Sequence, residues 1–219
     1  MRTLIGCLLC LGLLSADAGD RATTAGEGRP LPAAALTGKV SVEEAIAKRR
    51  SVRSFKDENL TQAQIGQLCW AGQGITDRAR GFRASPSAGA LYPIELYVVT
   101  ADGVDRYLPE KHELERCAAG DRRSALEAAA LGQDAVGAAP VCMVVAAAME
   151  RTARKYGERA ERYCLLEAGH VAQNMLLQAM AMKLAGVPVG AFDDAQVRQA
   201  LKLPSGREVL YLLPMGRPR

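Results

Sequence analysis

The chain has 219 residues, of which 49% are hydrophobic and 24% are charged, and its formal net charge is +4. This composition predicts a soluble globular protein with one domain of ordinary size, and it excludes disordered and collagen-like chains. The basic residues are scattered along the chain instead of forming a block, so nucleic acid is not predicted as a partner and a small anionic ligand is favoured.

The N-terminus has the pattern of a secretory signal peptide over residues 1–18. Arg2 precedes an apolar run from Leu4 to Leu14, and Ala16 and Ala18 offer an AxA-type cleavage site. The run is shorter than the roughly 20 residues of a membrane-spanning helix, so no stable membrane anchor is predicted. We therefore expect an exported, periplasmic protein. The alternatives are a lipoprotein and, if the signal is not used, a cytoplasmic protein.

Residues 19–40 are rich in Ala, Gly, Thr and Pro and lack periodicity, which predicts a flexible leader before a folded domain over residues 41–219. Ser41 and Glu44 have the spacing of a capping box, which predicts a short helix at the start of this domain. That helix delivers its end into the basic segment at residues 49–53.

The next predicted elements alternate between helix and strand. Residues 61–74 predict a helix capped by a threonine, and the proline-bounded loop at residues 86–93 leads into a β-rich strand at residues 94–99. Residues 124–131 have a helical composition. Residues 140–146 form an apolar run of strand length, as expected for a strand that is buried on both faces. These patterns imply a sheet covered by helices.

The C-terminal third is dominated by one long helix. Residues 160–184 are rich in Ala, Leu and Met, contain no proline, and have apolar residues at helical spacing, which predicts the central helix. Residues 186–192 follow as strand or loop, residues 194–201 as a short helix, and residues 209–213 as a last strand.

Several well-known motifs are absent from the sequence. No GxGxxG follows a strand, and GxxxxGKS/T, GxSxG and HExxH do not occur, which disfavours Rossmann, P-loop and hydrolase chemistry. The cysteines Cys69, Cys117, Cys142 and Cys164 lack metal-site spacing, so no metal is predicted. Three of them lie in apolar surroundings and are predicted to be buried, with a disulfide left open.

Three features would all serve a bound phosphate: RRSVR directly after a helix, PSAGALYP before a strand, and a glycine-flanked tail with Arg217. Guanidinium groups offer paired donors to phosphate oxygens, and glycines let backbone N–H groups approach a planar ligand. The residues alone leave two other interpretations open, a solvated basic helix end for RRSVR and a tight turn for PSAGALYP.

Seven segments, in chain order, carry a resemblance to a known family: RRSVRSF, LCWAGQGIT, PSAGALYPIELYVV, RYLPEKHEL, KYGERAERYCLLEAGHVAQNMLLQA, VPVGAFDD and LYLLPMGRP. Together they resemble the SagB/ThcOx-type dehydrogenases of the nitroreductase family, over residues 41–218. The resemblance implies an α+β, nitroreductase-like fold, with a mainly antiparallel central sheet surrounded by helices. It also implies an intertwined homodimer with FMN at the subunit interface.

The resemblance assigns FMN contacts to four groups of residues. The motif for the ribityl phosphate and the pyrimidine edge matches Arg49, Arg50, Ser51 and Arg53. The loop that approaches the flavin from the partner subunit matches Ser87, Ala88 and Gly89. The segment against the isoalloxazine, whose central N–H is expected to face flavin N5, matches Val189, Gly190 and Ala191. The C-terminal phosphate contact matches Gly216 and Arg217.

For catalysis, azoline-oxidising members of the family use a Lys-Tyr pair, and Lys155 and Tyr156 stand at the matching place. Removal of a proton beside a C=N bond needs a base, a role that either side chain can serve. The alternative is a surface lysine followed by a packing tyrosine. His170 is predicted to pack in the core, and Asp193 and Asp194 are predicted to cap the helix that follows them.

These observations predict an FMN-dependent oxidoreductase that oxidises azoline-like or related C–N substrates, presented as a small molecule or a peptide. Two alternatives remain. One is an NAD(P)H-dependent reductase of nitro or quinone compounds. The other is a non-catalytic flavin-binding or interaction protein that has kept the fold.

Overall fold

The computed structural model describes residues 28–219, so the predicted signal peptide and residues 19–27 lie outside the described residues. The described chain is an α+β domain in which an antiparallel sheet is covered by helices on both faces, as predicted. None of the helices in this part of the chain combines the length and the hydrophobicity that a membrane crossing demands.

The described residues form nine strands. They are β1 (Arg29–Pro30), β2 (Ile75–Asp77), β3 (Phe82–Arg83), β4 (Ile94–Thr100), β5 (Gly103–Leu108), β6 (Glu113–Ala119), β7 (Val141–Ala147), β8 (Ala185–Gly186) and β9 (Glu208–Gly216). Seven of them form one sheet in the order β1-β6-β5-β4-β7-β9-β8, and all of its pairs are antiparallel. The strands β2 and β3 form a separate hairpin.

Seven α-helices and two 3-10 turns surround the strands. The helices are α1 (Val42–Lys48), α2 (Gln62–Gln73), α3 (Arg123–Ala129), α4 (Asp134–Ala138), α5 (Met149–Tyr156), α6 (Ala160–Ala181) and α7 (Asp194–Leu201). The 3-10 turns cover Ala88–Ala90 and Gly157–Arg159.

The two cores lie on opposite faces of the sheet, and β7 contributes to both. Met143 and Val145 pack into the core that contains α2 and α6, while Cys142 and Val144 pack into the core that contains α3 and α7. Successive side chains of a strand point to opposite faces, so a strand between two helix layers is apolar throughout. The predicted strand that is buried on both faces is thereby confirmed.

The predicted helix starts are also confirmed, because each cap residue makes the expected hydrogen bond. The Ser41 hydroxyl accepts from the Glu44 N–H at 3.1 Å. Thr61 and Gln64 form a reciprocal capping box, and Asp193 caps α7 by accepting from the Gln196 N–H at 2.8 Å. These short side chains satisfy N–H groups that have no partner inside the helix.

The predicted flexible leader needs a correction, because part of residues 19–40 belongs to the domain. Strand β1 pairs with β6, the buried Leu31 donates its N–H to the His112 carbonyl at 3.0 Å, and the Ala35 N–H donates to Gln67 at 2.8 Å. A sheet edge supplies the hydrogen bonds that a two-residue strand needs. The folded domain therefore begins before Ser41.

In its first half, the central helix α6 turns two of its leucines away from the core. Cys164, Ala168 and Val171 point into the core, whereas Leu165 and Leu166 are 50% and 53% exposed. Small side chains allow this part of the helix to approach the sheet closely, and Leu165 and Leu166 are left on the outside. His170 lies on this outer face and is exposed, so the prediction that it packs in the core is wrong.

Candidate functional site

The basic segment after α1 lies beside the last strands of the sheet. The chain leaves the helix at Arg49, and Ser51 then forms a parallel bridge with Gly186. The Val52 N–H donates to the Gly186 carbonyl at 3.2 Å. This pairing places the arginines next to the C-terminal end of α6.

Four cations surround a pocket of about 390 Å³ at this position, which we call the cationic pocket. Its floor is apolar, and its charged lining consists of Lys48, Arg49, Arg50 and Lys183. No carboxylate belongs to this lining among the described residues. The volume lies within the range of small-molecule sites, about 300–1,000 Å³. An anion such as a phosphate fits this arrangement, because several cations converge on one space.

The other predicted phosphate contacts lie around this pocket but do not line it. Ser51 and Arg53 are exposed, and Arg217 forms an ion pair with Glu58 at 3.1 Å. Gly216 is buried in β9, where an added Cβ would lie 2.9 Å from Pro140. Close packing therefore explains why position 216 is a glycine. Gly186 is similarly crowded, because an added Cβ there would lie 2.8 Å from the Pro214 carbonyl oxygen.

The segment Val189–Ala191 leaves the backbone N–H groups of Gly190 and Ala191 without a partner among the described residues. Val189 exchanges two hydrogen bonds with Leu212, at 2.8 and 3.0 Å, and the Ala191 carbonyl accepts from Gln133 at 2.8 Å. Between these anchors Gly190 is exposed, and its N–H has no partner among the described residues. An unpaired N–H in an exposed segment that is anchored on both sides is a suitable donor to a ring nitrogen of a ligand.

The second predicted flavin contact, Ser87, Ala88 and Gly89, is part of a loop over residues 87–92 that has a strained backbone. Gly89, Ala90 and Tyr92 have φ angles of 61°, 53° and 48°. For the two residues that carry a side chain, the left-handed conformation costs about 1–2 kcal/mol each. Such backbone persists only where the surroundings hold it, and it is frequent at functional sites.

Several side chains hold the 87–92 loop at Tyr92. The Tyr92 N–H donates to the Ser87 hydroxyl at 2.9 Å, and the Tyr92 carbonyl accepts from Arg151 at 2.6 Å. The Tyr92 hydroxyl accepts from the Arg83 N–H at 3.1 Å, and the Arg83 guanidinium lies 4.7 Å from the Tyr92 ring centre. The loop is thereby tied to β3 and to α5.

The structure places Lys155 and Tyr156 directly against this loop. A Cβ on Gly89 would lie 2.8 Å from the Tyr156 hydroxyl and 2.9 Å from the Lys155 Nζ. Lys155 is exposed, and the Tyr156 ring packs edge-on against Tyr163 of α6 at 4.9 Å between centroids. The two candidate catalytic groups and the glycine of the loop therefore meet at one place, which the sequence did not reveal.

Two carboxylates lie beneath the loop in different electrostatic environments. Burial raises the pKa of Glu167, although the polar groups nearby, among them the Gln73 amide that donates to it at 3.4 Å, oppose this rise. Burial also acts on Glu95, but Arg207 and Arg151 outweigh it and lower the pKa of Glu95. Arg151 thus links Glu95, at 2.9 Å, to the loop.

The cationic pocket and the 87–92 loop lie at different ends of α6. Tyr163, near the start of the helix, supports Tyr156, whereas Met180, near its end, lines the pocket. At a rise of 1.5 Å per residue, these two helix positions are about 26 Å apart. Within one chain, the two groups of predicted site residues are therefore separate.

Sequence reasoning missed several residues of both regions. Lys48, which directly precedes RRSVR, and Lys183, which follows α6, both line the pocket. Arg83 and Arg151, which hold the loop, have no local signature. Glu167 could have been found, because it is a charged residue on the helix face of Cys164 and Val171, where only apolar residues are expected.

A larger pocket than the cationic pocket, of about 590 Å³, lies elsewhere. It is formed by residues 33–42 together with α2 and α6, and no ionisable side chain lines it. It therefore offers nothing to a phosphate. No cluster of metal-ligating side chains occurs among the described residues either.

Residues 46–217 match the family model of the nitroreductases. The chain belongs to the nitroreductase family. A candidate nitroreductase of Methanocaldococcus jannaschii is 41% identical over 185 residues, which cover 82% of this chain and 92% of that relative. McbC, the microcin B17-processing protein of Escherichia coli, is 28% identical over 132 residues, which cover 55% of this chain and 48% of McbC.

Solved structures confirm the nitroreductase fold. A candidate nitroreductase from Ralstonia eutropha JMP134 has a TM-score of 0.80 and 28% identity, and the match covers 95% of this chain and 96% of that one. The NADPH:FMN oxidoreductase of Vibrio harveyi, in complex with NAD+, has a TM-score of 0.61 and 25% identity over 81% of this chain and 68% of that one. Nitroreductase-family proteins are oxidoreductases that generally bind a flavin.

Proposed function

We propose that this chain is an FMN-dependent dehydrogenase of the SagB type, which oxidises an azoline-like or related C–N bond in a small molecule or a peptide. The observation that carries the proposal is the meeting of Lys155 and Tyr156 at Gly89. A reductase that only exchanges hydride with a flavin has no need of a base at this position. The similarity to McbC, a microcin-processing protein, agrees with a peptide substrate.

The residues present fit FMN. The cationic pocket offers Arg49, Arg50 and Lys183 to a dianionic phosphate, and none of the three forms an ion pair with another described residue. The free N–H of Gly190 suits a ring nitrogen of the isoalloxazine. Arg217 can also bind the phosphate if it gives up its ion pair with Glu58. The bound flavin would supply the hydride acceptor, a chemistry that no protein side chain provides.

We further propose that the active form is a homodimer with composite sites. The outer face of α6 carries Leu165, Leu166, Gly169 and His170, all of them exposed, and Gly169 would allow close approach of a second helix. If a twofold axis perpendicular to α6 relates two copies of the chain, their α6 helices run antiparallel. Each cationic pocket would then come near the 87–92 loop of the other copy, which removes the separation found within one chain.

In the reaction, the protein's part is to orient the substrate and move one proton. Lys155 Nζ or Tyr156 Oη takes the proton from the carbon beside the C=N bond, and Gly89 leaves the space in which both groups lie. Tyr163 fixes the Tyr156 ring, so the hydroxyl keeps its direction.

The first test is the visible spectrum of the purified chain mixed with FMN. A yellow protein whose flavin absorption bleaches with a reductant is expected, and a chain that never takes up FMN would contradict the proposal. Lys155→Ala should then abolish azoline oxidation without loss of FMN. The neighbouring exposed Arg154, changed to Ala, is the matched control and should leave turnover unchanged.

A second candidate function is reduction of nitro or quinone compounds by NAD(P)H. The similarity to the Vibrio NADPH:FMN oxidoreductase favours it. Rapid mixing of the FMN-loaded protein with NADPH separates the two functions. Fast bleaching that Lys155→Ala leaves unchanged, together with no azoline oxidation, would favour the reductase.

A further inference from the structure

An arginine in the first turn of α5 joins that helix to the 87–92 loop. Arg151 Nη1 donates to the Tyr92 carbonyl at 2.6 Å, and its Nη2 donates to Glu95 Oε1 of β4 at 2.9 Å. The Tyr92 carbonyl has no other donor among the described residues. Because a guanidinium is a flat and rigid fork, it holds both contacts in one geometry. The position of the loop is therefore coupled to that of α5.

Glu95 is a fixed anchor for this arginine. Its side chain is 12% exposed, and its second oxygen accepts from Arg207 Nε at 2.7 Å and from the Tyr97 hydroxyl at 3.0 Å. Since both oxygens are engaged, the carboxylate cannot turn without losing a charge-assisted hydrogen bond. Arg151 is thus held by a group of the central sheet instead of another mobile surface side chain.

The same arginine lies one helical turn before the candidate catalytic pair. Lys155 follows Arg151 by four residues on α5, which is about 6 Å along the helix axis, and residues at this spacing lie on the same side of a helix. Gly89 of the loop is the residue that Lys155 and Tyr156 approach. The helix and the loop therefore meet at two points, Arg151 with Tyr92 and the catalytic pair with Gly89.

Only the first of these two meeting points is a directed bond. Among the described residues, neither Lys155 nor Tyr156 forms a hydrogen bond with the loop, so their approach to Gly89 depends on how the loop is held elsewhere. Tyr92 has a φ of 48°, a conformation that persists only where the surroundings hold it. The bond from Arg151 to the Tyr92 carbonyl helps to hold it.

We propose that Arg151 is a positioning residue: anchored on Glu95, it fastens the 87–92 loop to α5 and thereby fixes the place of Gly89 against the candidate catalytic pair. The inference rests on the proposed function only in taking Lys155 and Tyr156 as the reacting groups. Loss of the guanidinium would release the loop from α5 while the sheet stays folded.

Hydrogen exchange of the Tyr92 amide in the flavin-free chain tests this role without any substrate. Arg151→Met keeps an apolar stem but removes the guanidinium. It should speed exchange at Tyr92 about tenfold relative to the Val144 amide in β7, because the loop loses one hydrogen bond to α5. Azoline oxidation by the FMN-loaded variant should slow about tenfold to a hundredfold, as expected when reacting groups are displaced.

Arg207→Met is the matched control. Arg207 binds the same carboxylate and lies 3.5 Å from Glu150 of α5, but no bond joins it to the loop among the described residues. Its loss also removes an ion pair, yet it should leave the ratio of Tyr92 to Val144 exchange nearly unchanged and slow azoline oxidation much less. An ion pair with a merely structural role predicts equal effects of the two variants.

Two outcomes would overturn the positioning role: equal acceleration at Tyr92 and Val144 in Arg151→Met, or equal effects of Arg151→Met and Arg207→Met on Tyr92. If Arg151→Met does not fold, Arg151→Lys retains the charge, but one ammonium group lacks the fork that holds both acceptors. It should still speed Tyr92 exchange selectively, and unchanged exchange in that variant would overturn the role as well. An unaltered chain that never oxidises an azoline would instead refute the proposed function, and the exchange result would still decide whether Arg151 holds the loop.

Discussion

The two ends of α6 carry two differently built halves of the proposed site. At its C-terminal end, the cationic pocket is held by backbone pairing between Ser51 and Gly186, and its arginine side chains are free of carboxylates. At its N-terminal end, the 87–92 loop has a strained backbone that is held by buried and ion-paired side chains. The first design suits an anion that is bound by charge. The second suits groups whose orientation decides a reaction.

The largest expected effect comes from keeping the two halves apart. Leu166→Arg places a charge on the exposed face of α6, and an unpaired charge in an interface costs about 3–5 kcal/mol, which is more than a hundredfold in the dimer dissociation constant. We expect a monomer that no longer takes up FMN, measured by light scattering and flavin titration. Leu131→Arg, at a leucine that is 69% exposed elsewhere, is the control and should keep both properties. A monomeric variant with unchanged FMN affinity would refute the composite site.

The cationic pocket is probed by Arg49→Ala. Loss of a charge-assisted hydrogen bond to phosphate should weaken FMN binding about tenfold to a hundredfold, without changing the folding stability. Arg53→Ala removes an arginine of the same segment that does not line the pocket, and its effect should be smaller. Fluorescence titration with FMN measures both. If Arg53 proves the more important of the two, the pocket is not the phosphate site.

The 87–92 loop is probed by Gly89→Ala. The new methyl group would meet Tyr156 and Lys155 at 2.8 and 2.9 Å, and a displacement of this kind costs about tenfold to a hundredfold in turnover. Gly81→Ala is matched in backbone, with φ of 70° against 61°, but its Cβ meets nothing within 4 Å. Both variants should lose about 1–2 kcal/mol of stability. Equal turnover in the two would show that the contact with Lys155 and Tyr156 has no role.

The smallest expected effect is a change in the pH dependence of stability. Burial raises the pKa of Glu167 above its ordinary value of 4.5, so the native state holds this proton to higher pH than the unfolded chain does. Its contribution to stability therefore falls as the pH rises above 4.5. Urea unfolding at about pH 5 and about pH 8 should show a smaller decrease for Glu167→Gln than for the unaltered chain. A larger decrease would contradict the buried, proton-holding environment.

Much of the fold could be predicted because its helices and inner strands carry local signals. The caps at Ser41, Thr61 and Asp193 and the apolar run of β7 gave element positions that hold within a few residues. The strands β5 and β6 were missed because charged residues interrupt their apolar pattern. Arg106 and Glu115, for example, face each other across these strands and form an ion pair at 2.7 Å.

The site could be predicted only in part, since sequence patterns report neighbours along the chain. The resemblance selected Gly89, Lys155 and Tyr156, but their meeting depends on how α5 folds back onto the loop, which only the structure shows. Lys183 and Arg49 likewise line the same pocket only because of the way in which α6 packs. Arg217 illustrates the opposite case, because a motif residue is engaged by Glu58 in the described chain.

The central claim, that each site combines the cationic pocket of one chain with the 87–92 loop of another, is tested most directly by a mixed dimer. One chain carries Arg49→Glu and Arg50→Glu, the other carries Gly89→Asp, and each variant alone should bind no FMN. Co-expressed with two different tags and purified through both, the mixed dimer should contain one intact site and bind about one FMN per dimer. A mixed dimer that binds none would show that each site is built within a single chain and would contradict the account.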